Sequence, residues 1–375
     1  MEPGAIARFQ YGVRAKNVVS ATLLTALLAA CASATPRMPV IPPLHGQEIP
    51  DVVEVDLLRM SPAMTAFAET YAKPSSAGKA WGLAYAALDP YLLDFEYDPM
   101  VDLPADEAFQ RRRGNCLTFS SLFVALARSV GLDAWYQEVR VPPRWNAVNE
   151  TLLVSKHVNA VVSEWGARYV IDVSRRRASR DDVTRRMSDQ EAEAQYYNNL
   201  GADALVADNL ALAYAYFRRA LQSAPRTAYV WSNLGVVFRR NDQASEAMLA
   251  YQAALESDPD EAVALNNLYN LYLDHDMPEA ARAMASRVER NRRNNPYYLH
   301  HLAEIANDEH RFGDAIDLLE RAIDLDDEEY RFHYTMAQSQ FYAGHYDVVR
   351  ASLDRARQLA GNALPEGRPT WPDGG

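Results

Sequence analysis

The hydrophobic pattern changes period partway along the chain. From about residue 194 to 361, small and apolar positions recur every 34 residues without a slip. Ala213, Ala247, Ala281, Ala315 and Val349 form one ladder, and Ala220, Ala254, Val288, Ala322 and Ala356 form a second. Leu200, Leu234, Leu268, Leu302 and Met336 keep the same register, as do Tyr197, Trp231, Leu265, Leu299 and His333. A fixed period of this length predicts five two-helix units that stack to bury a continuous core and leave a concave groove. Gly201 and Gly235 fall where two helices must approach closely, and Pro225 and Pro259 close their repeats.

Before residue 190 the pattern mixes helical and alternating stretches. Ser61-Pro62 supplies an N-cap and a first-turn proline for a helix to about residue 72, and 77–88 reads as a second. A third helix starts near Asn115, its stripe of Phe123, Leu126, Ala127 and Val130 running to Gly131. Residues 156–162 and 169–174 alternate and are rich in β-branched side chains, so they read as strands, with Glu164-Trp165-Gly166-Ala167 as their turn. The basic run of Arg175, Arg176, Arg177, Arg180, Arg185 and Arg186 reads as a solvated linker helix. The expectation is an α+β domain over 56–190, followed by an all-α solenoid over 194–361.

Cys116 changes this picture from architecture to chemistry. It lies in the first turn of the third helix, where unpaired backbone N–H groups and the helix dipole present partial positive charge to the sulfur. A hairpin closed by the two residues Trp165-Gly166, or by the four around them, pairs odd positions with even ones, so His157 falls opposite or diagonal to Asp172 on one face. A thiol, an imidazole and a carboxylate so disposed are what nucleophilic catalysis requires. His157 is also the only histidine between residues 60 and 190.

Gly114-Asn115-Cys116, a helix ending Leu126-Ala127-Arg128-Ser129-Val130-Gly131, then a strand with His157 and one with Asp172, resembles the bacterial transglutaminase-like (papain-like cysteine peptidase) superfamily over roughly residues 60–190. The resemblance implies Cys116 as nucleophile, His157 as general base and acid, and Asp172 as orienting carboxylate. Members of that family often follow the histidine with an aromatic residue, whereas Val158-Asn159 stands here. The 34-residue ladders resemble the tetratricopeptide repeat, which implies a groove for a protein or peptide. Asn199, Asn233 and Asn267 share one repeat position that in this family faces the groove, where amides can hydrogen-bond a peptide backbone.

At the N-terminus, Arg8, Arg14 and Lys16 precede a short apolar run over 18–28. Leu28-Ala29-Ala30-Cys31 resembles a bacterial lipobox, which implies a signal peptide over 1–30, lipidation of Cys31 and a membrane anchor. The alternative is an ordinary secretory signal. Ala32 is not the aspartate associated with inner-membrane retention, so the expected location is the cell envelope, at the periplasmic face of the outer membrane. Of the two cysteines, Cys116 then remains the sole thiol. Residues 31–55, with Pro36, Pro39, Pro42, Pro43 and Pro50, read as an extended tether, and 362–375 as a disordered Pro- and Gly-rich tail.

Net charge is −12, and residues 187–375 account for −13, with 30 Asp and Glu against 17 Arg. This disfavours nucleic acid and favours a basic or neutral partner. His300 and His301 point about 100° apart on a helix, so with His310 they make no metal set; neither metal nor cofactor is expected. The expected chemistry is acyl transfer at an amide through a thioester. Hydrolysis makes a peptidase or amidase, and aminolysis a cross-linking transglutaminase. The competing class is a repeat adaptor whose cysteine domain is inactive.

Overall fold

The computed structural model describes residues 40–73, 78–139, 144–145, 152–153, 157–174 and 183–360. The signal peptide, Cys31, the tether up to residue 39, Arg175, Arg176, Arg177, Arg180 and the tail 362–375 lie outside the described residues. By internal contacts the chain forms two units, one within 1–141 and 156–259, the other within 142–155 and 260–375. Among the described residues no helix is long and apolar enough to cross a membrane.

In the first unit, α1 (Pro62–Tyr71) begins as expected, with the Ser61 hydroxyl accepting from the Met64 amide. Next come α2 (Lys79–Leu88), β1 (Glu96–Tyr97), α3 (Ala105–Arg111) and β2 (Arg113–Gly114), with β1 and β2 pairing in parallel. Then α4 (Cys116–Ser129) buries every residue from Leu117 to Ala127, and its N-cap Asn115 accepts from the Thr118 amide at 2.9 Å. The remaining strands are β3 (Asp133–Val139), the short pair β4 (Arg144–Trp145) and β5 (Leu152–Leu153) that falls in the second unit, β6 (His157–Glu164), β7 (Ala167–Ile171) and β8 (Thr184–Met187). An antiparallel sheet runs in the order β7-β6-β3-β8. Tyr136 of β3 donates to Ser121 of α4, which fastens helix to sheet at a buried point.

The β6–β7 hairpin turns on Trp165 and Gly166, both with positive φ (51° and 78°), the condition for a type I′ turn whose twist matches the strands. Glu164, beside the turn, reaches 84 residues back in sequence. Its carboxylate accepts from the Lys79 and Ala80 amides at 3.0 and 3.1 Å and so caps α2. Gly78 is needed there, because a Cβ would lie 2.4 Å from Glu164 Oε2.

Two expectations require correction. Arg185 and Arg186 are not in a linker helix but in β8, at the sheet edge. Arg185 pairs with Glu138 and Glu191 at 2.5 Å, and Arg186 lies over the Trp135 ring at 4.5 Å. Opposing acids and an aromatic face give a basic run reason to extend. The described part of the tether, 40–55, is no free spacer either. The Pro42 and Pro43 carbonyls accept from Tyr214 and Gln243, the His45 amide donates to Gln243, and Tyr197 exchanges hydrogen bonds with Val53 and Val55.

These contacts reach the first two repeats, α5 (Asp189–Val206) with α6 (Leu210–Ser223) and α7 (Ala228–Arg240) with α8 (Ala244–Ser257). A capping box of Ser188 and Glu191 starts α5. The second unit holds the other three pairs: α9 (Ala262–Asp274) with α10 (Pro278–Arg293), α11 (Pro296–Asp308) with α12 (Phe312–Leu325), and α13 (Tyr330–Tyr342) with α14 (Tyr346–Ala360). Its core includes Tyr297, Leu299, Ala322 and Phe332, with Ala303, Ala306, Ala315, Leu319 and Met336 beside them. The turn inside every repeat carries one left-handed residue at the same 34-residue register: Asp208, Asp242, Asp276, His310 and Gly344. Aspartate tolerates that conformation better than most residues.

Candidate functional site

The site is assembled from three starts and ends of elements. Cys116 is the first residue of α4, His157 the first of β6, and Asp172 the residue after β7. Ala160 pairs with Ile171, which sets Asn159 opposite Asp172 and puts His157 diagonal to it, as the two-residue loop dictates. His157 Nε2 lies 2.5 Å from Asp172 Oδ2, and the other Asp172 oxygen accepts from the Ser174 amide at 2.8 Å. Cys116 is hydrogen-bonded to His157. With Nε2 turned to the carboxylate, Nδ1 is left for the sulfur. The three residues singled out in the sequence therefore come together in one hydrogen-bonded chain.

Electrostatics make the pair ionic. Burial pulls His157 towards the neutral form, but hydrogen bonds to Asp172 and Cys116 outweigh it and raise its pKa to about 9. For Asp172, burial acts upward and is overcome by His157 and Ser174, which leave the carboxyl below its ordinary value. His157 thus carries its proton at neutral pH, with the carboxylate fixing the ring. Cys116 is partly exposed.

Around these three stand residues whose part in the site the sequence did not indicate. Asn159 Nδ2 reaches Asp172 Oδ2 at 3.5 Å, while its Oδ1 is buried without a hydrogen-bond partner. Residues 101–103 strap the start of α4: the Asn115 amide donates to Val101, the Thr118 hydroxyl to Val101 as well, and the Leu103 amide to Thr118. Gly114 permits this, since a Cβ would lie 2.2 Å from Thr118 Cγ2. Asp102 in the strap accepts from Asn115 and Asn199. Only a fold-level contact unites these residues, and no local pattern announces it.

The asparagine ladder has other duties. Asn199 donates to Asp102 at 2.8 Å and accepts from Gln195 at 2.7 Å, Asn233 donates to Asn198 at 2.8 Å, and Asn267 is buried. The first two amides are thus engaged within the chain rather than held out for a peptide. His300 bonds to Thr335 at 2.9 Å, and burial lowers its pKa to about 4, which makes it a neutral packing group. Among the described residues no cluster of three His, Cys, Asp or Glu is disposed to hold a metal ion.

No curated protein sequence matches this chain. Among solved structures it is similar to MamA from Desulfovibrio magneticus RS-1, at 15% identity over 46% of this chain and 96% of that one, with a TM-score of 0.27. It is also similar to Pseudomonas aeruginosa PilF, at 22% identity over 46% and 79%, TM-score 0.31. YrrB, described as a tetratricopeptide-repeat protein with an unusual peptide-binding site, is similar at 17% identity over 46% and 89%, TM-score 0.27. The family model of the transglutaminase-like superfamily matches residues 83–178, which contain Cys116, His157 and Asp172, and that of the tetratricopeptide repeat matches 228–261, so the chain carries a transglutaminase-like core domain followed by tetratricopeptide repeats.

Proposed function

We propose that the transglutaminase-like domain is a thiol acyl-transferase acting on amides, and that water is its usual acceptor. The hydrogen-bonded chain from Cys116 through His157 to Asp172, at the start of α4, carries this reading. The Cys116 sulfur attacks the acyl carbon as a thiolate, and the C–N bond breaks as the His157 proton passes to the leaving amine, giving a thioester. His157, now neutral, takes a proton from water as the oxygen attacks; the C–S bond breaks and the acid is released. Asp172 holds the imidazole throughout. The Cys116 backbone N–H at the helix start is the proposed donor to the oxyanion.

The repeats bind the protein or peptide on which this chemistry acts, as tetratricopeptide repeats bind such partners. On the lipobox-like Leu28-Ala29-Ala30-Cys31, the protein is anchored by lipid at the cell envelope, facing the periplasm. Labelling with fatty acid, lost in Cys31→Ser, tests that placement.

The test of the chemistry is alkylation by iodoacetamide near neutral pH. Cys116 reacts faster than free cysteine, and His157→Ala slows it by about tenfold or more, in line with the contribution of a positioned acid–base. A rate equal to that of free thiol and indifferent to His157 removes the nucleophile and leaves a repeat adaptor with an inactive domain. Release of acid or of amine-linked product from trapped partners then separates hydrolysis from cross-linking.

A further inference from the structure

The nucleophile's helix is held at its N-cap by a polar relay that begins in the repeats. Gln195 Nε2 donates to Asn199 Oδ1 at 2.7 Å, and Asn199 Nδ2 donates to Asp102 Oδ1 at 2.8 Å. Asp102 also accepts from the side chain of Asn115, whose own Oδ1 caps α4 through the Thr118 amide at 2.9 Å. Asn115 is nearly fully buried and immediately precedes Cys116. Both ends of the relay, α5 and α4, lie in the same unit.

We propose that Asp102 is a positioning residue for Cys116: its carboxylate holds the Asn115 and Asn199 amides at once and so ties the start of the nucleophile's helix to the first repeat. The proposal rests on Cys116 being a nucleophile and goes beyond the triad, because Asp102 touches none of its three members in the hydrogen bonds described. Asn199 donates to Oδ1, and Asp102 also accepts from the Asn115 side chain. Two amide N–H₂ groups face Asp102, and only an ionised carboxylate accepts from both without spending a proton.

Its environment gives the tie a pH range. Burial pushes Asp102 up to about 6, against the Asn199 and Asn115 hydrogen bonds and with help from Asp203. The titratable groups that face it are Asp203 and Tyr196, both on α5; α4 presents the neutral Asn115. Asp203 is itself raised by burial. Below about pH 6 Asp102 takes a proton, one oxygen becomes a donor facing a donor, and one of the two amide bonds is lost. The position of Cys116 then loosens while His157 remains protonated.

The experiment is a swap across the relay in the full chain. Asp102→Asn leaves one oxygen to accept and sets an amide N–H₂ against another, so alkylation of Cys116 falls about tenfold, as expected for a lost charge-assisted bond next to an unsatisfied donor. Asn199→Asp alone sets two carboxylates together and falls similarly. The double variant Asp102→Asn with Asn199→Asp restores every partner. The amide introduced at position 102 accepts from Asn115 and donates to the carboxylate introduced at position 199, whose second oxygen accepts from Gln195. Its rate returns to within about threefold of the original. The original chain shows a drop in alkylation rate centred near pH 6 that Asp102→Asn lacks.

Circular dichroism and melting are read on each variant. If Asp102→Asn fails to fold, the double variant and Asn199→Ala, which deletes a single donor and slows alkylation about threefold, decide the matter. A folded Asp102→Asn that alkylates at the original rate overturns the proposal, as does a double variant that melts normally yet stays slow. His157→Ala separates the two levels. If it has no effect, the nucleophile reading fails; if it slows alkylation while Asp102→Asn does nothing, only the positioning role fails.

Discussion

The cysteine-bearing half of the first unit and the two repeats that complete it are held together in different ways. In the repeats, identical small-to-large contacts recur at fixed register: a Cβ on Gly201 would lie 2.5 Å from the Phe217 ring, and one on Gly235 2.4 Å from the Tyr251 ring. Among the described residues of the cysteine half no contact recurs at a fixed period, and the decisive ones join residues far apart in sequence. Glu164 caps α2, Tyr136 reaches Ser121, and His157 reaches Asp172. A repeat is specified by size at periodic positions, and that specification is tolerant of polar variation. A site is specified by single polar partners and has no second copy to fall back on.

The difference is sharpest where a side chain is added to a repeat. Gly235→Leu drives new atoms into Tyr251, which is fully buried and has nowhere to swing. Thermal melting should show a loss above about 4 kcal/mol, beyond the usual overpacking range because the ring cannot move aside. Gly313→Ala is the counterpart, with nothing within 4 Å of its Cβ, and should gain roughly 0–1 kcal/mol from helix propensity. Equal effects at the two positions would mean that the register is not held by these contacts.

In the cysteine half the comparable break is electrostatic. The folded chain raises His157 from the ordinary 6.5 to about 9, so its contribution to stability is complete below about pH 6.5 and is lost as pH climbs through about 9. At order of magnitude the contribution is up to about 3 kcal/mol. Asp172 is lowered, so its share is present above its ordinary value of 3.8 and is lost as pH falls below that. Denaturant melts between about pH 6 and 10 should show the alkaline loss in the original chain and none in His157→Ala. A parallel pH slope in both would detach His157 from the folding equilibrium.

These two breaks also mark what the sequence made legible. The 34-residue ladders locate all five helix pairs, because size at a fixed period needs no knowledge of distant contacts. The α4 start and the diagonal of His157 and Asp172 were legible too, since a cap and a two-residue turn are local and fix register by parity. Arg185 and Arg186 were not, because their strand depends on Trp135, Glu138 and Glu191 brought from elsewhere. Residues 40–55 read as tether for the same reason: their partners lie more than 140 residues on, at Tyr197, Tyr214 and Gln243. The left-handed series from Asp208 to Gly344 was legible in principle, since its register matches the ladders, but its residue types vary.

Glu164 offers a smaller test on the polar side of the comparison. Glu164→Ala leaves the Lys79 and Ala80 amides without their partner and removes a negative charge from the α2 N-terminus. A loss of about 2 kcal/mol is expected by melting, with Glu164→Gln losing about half as much because an amide oxygen still accepts. A full loss in Glu164→Gln would show that charge rather than hydrogen bonding dominates the cap.

The smallest effect is expected where the N-terminal segment meets the repeats. The Tyr214 hydroxyl donates to the Pro42 carbonyl at 2.8 Å from a ring that is otherwise buried, so Tyr214→Phe removes one hydrogen bond and keeps the packing. Melting should drop by only about 1 kcal/mol. The informative readout is local amide exchange. His45, whose amide donates to Gln243, lies three residues from Pro42, whereas Val55 is bonded separately to the Tyr197 hydroxyl. If the segment is fastened bond by bond, exchange at His45 quickens in Tyr214→Phe and Val55 stays protected. If both quicken equally, the segment releases as one cooperative piece and behaves like part of a repeat rather than like the single-partner contacts of the cysteine half. No change at either amide would show that the Pro42 bond holds nothing in place.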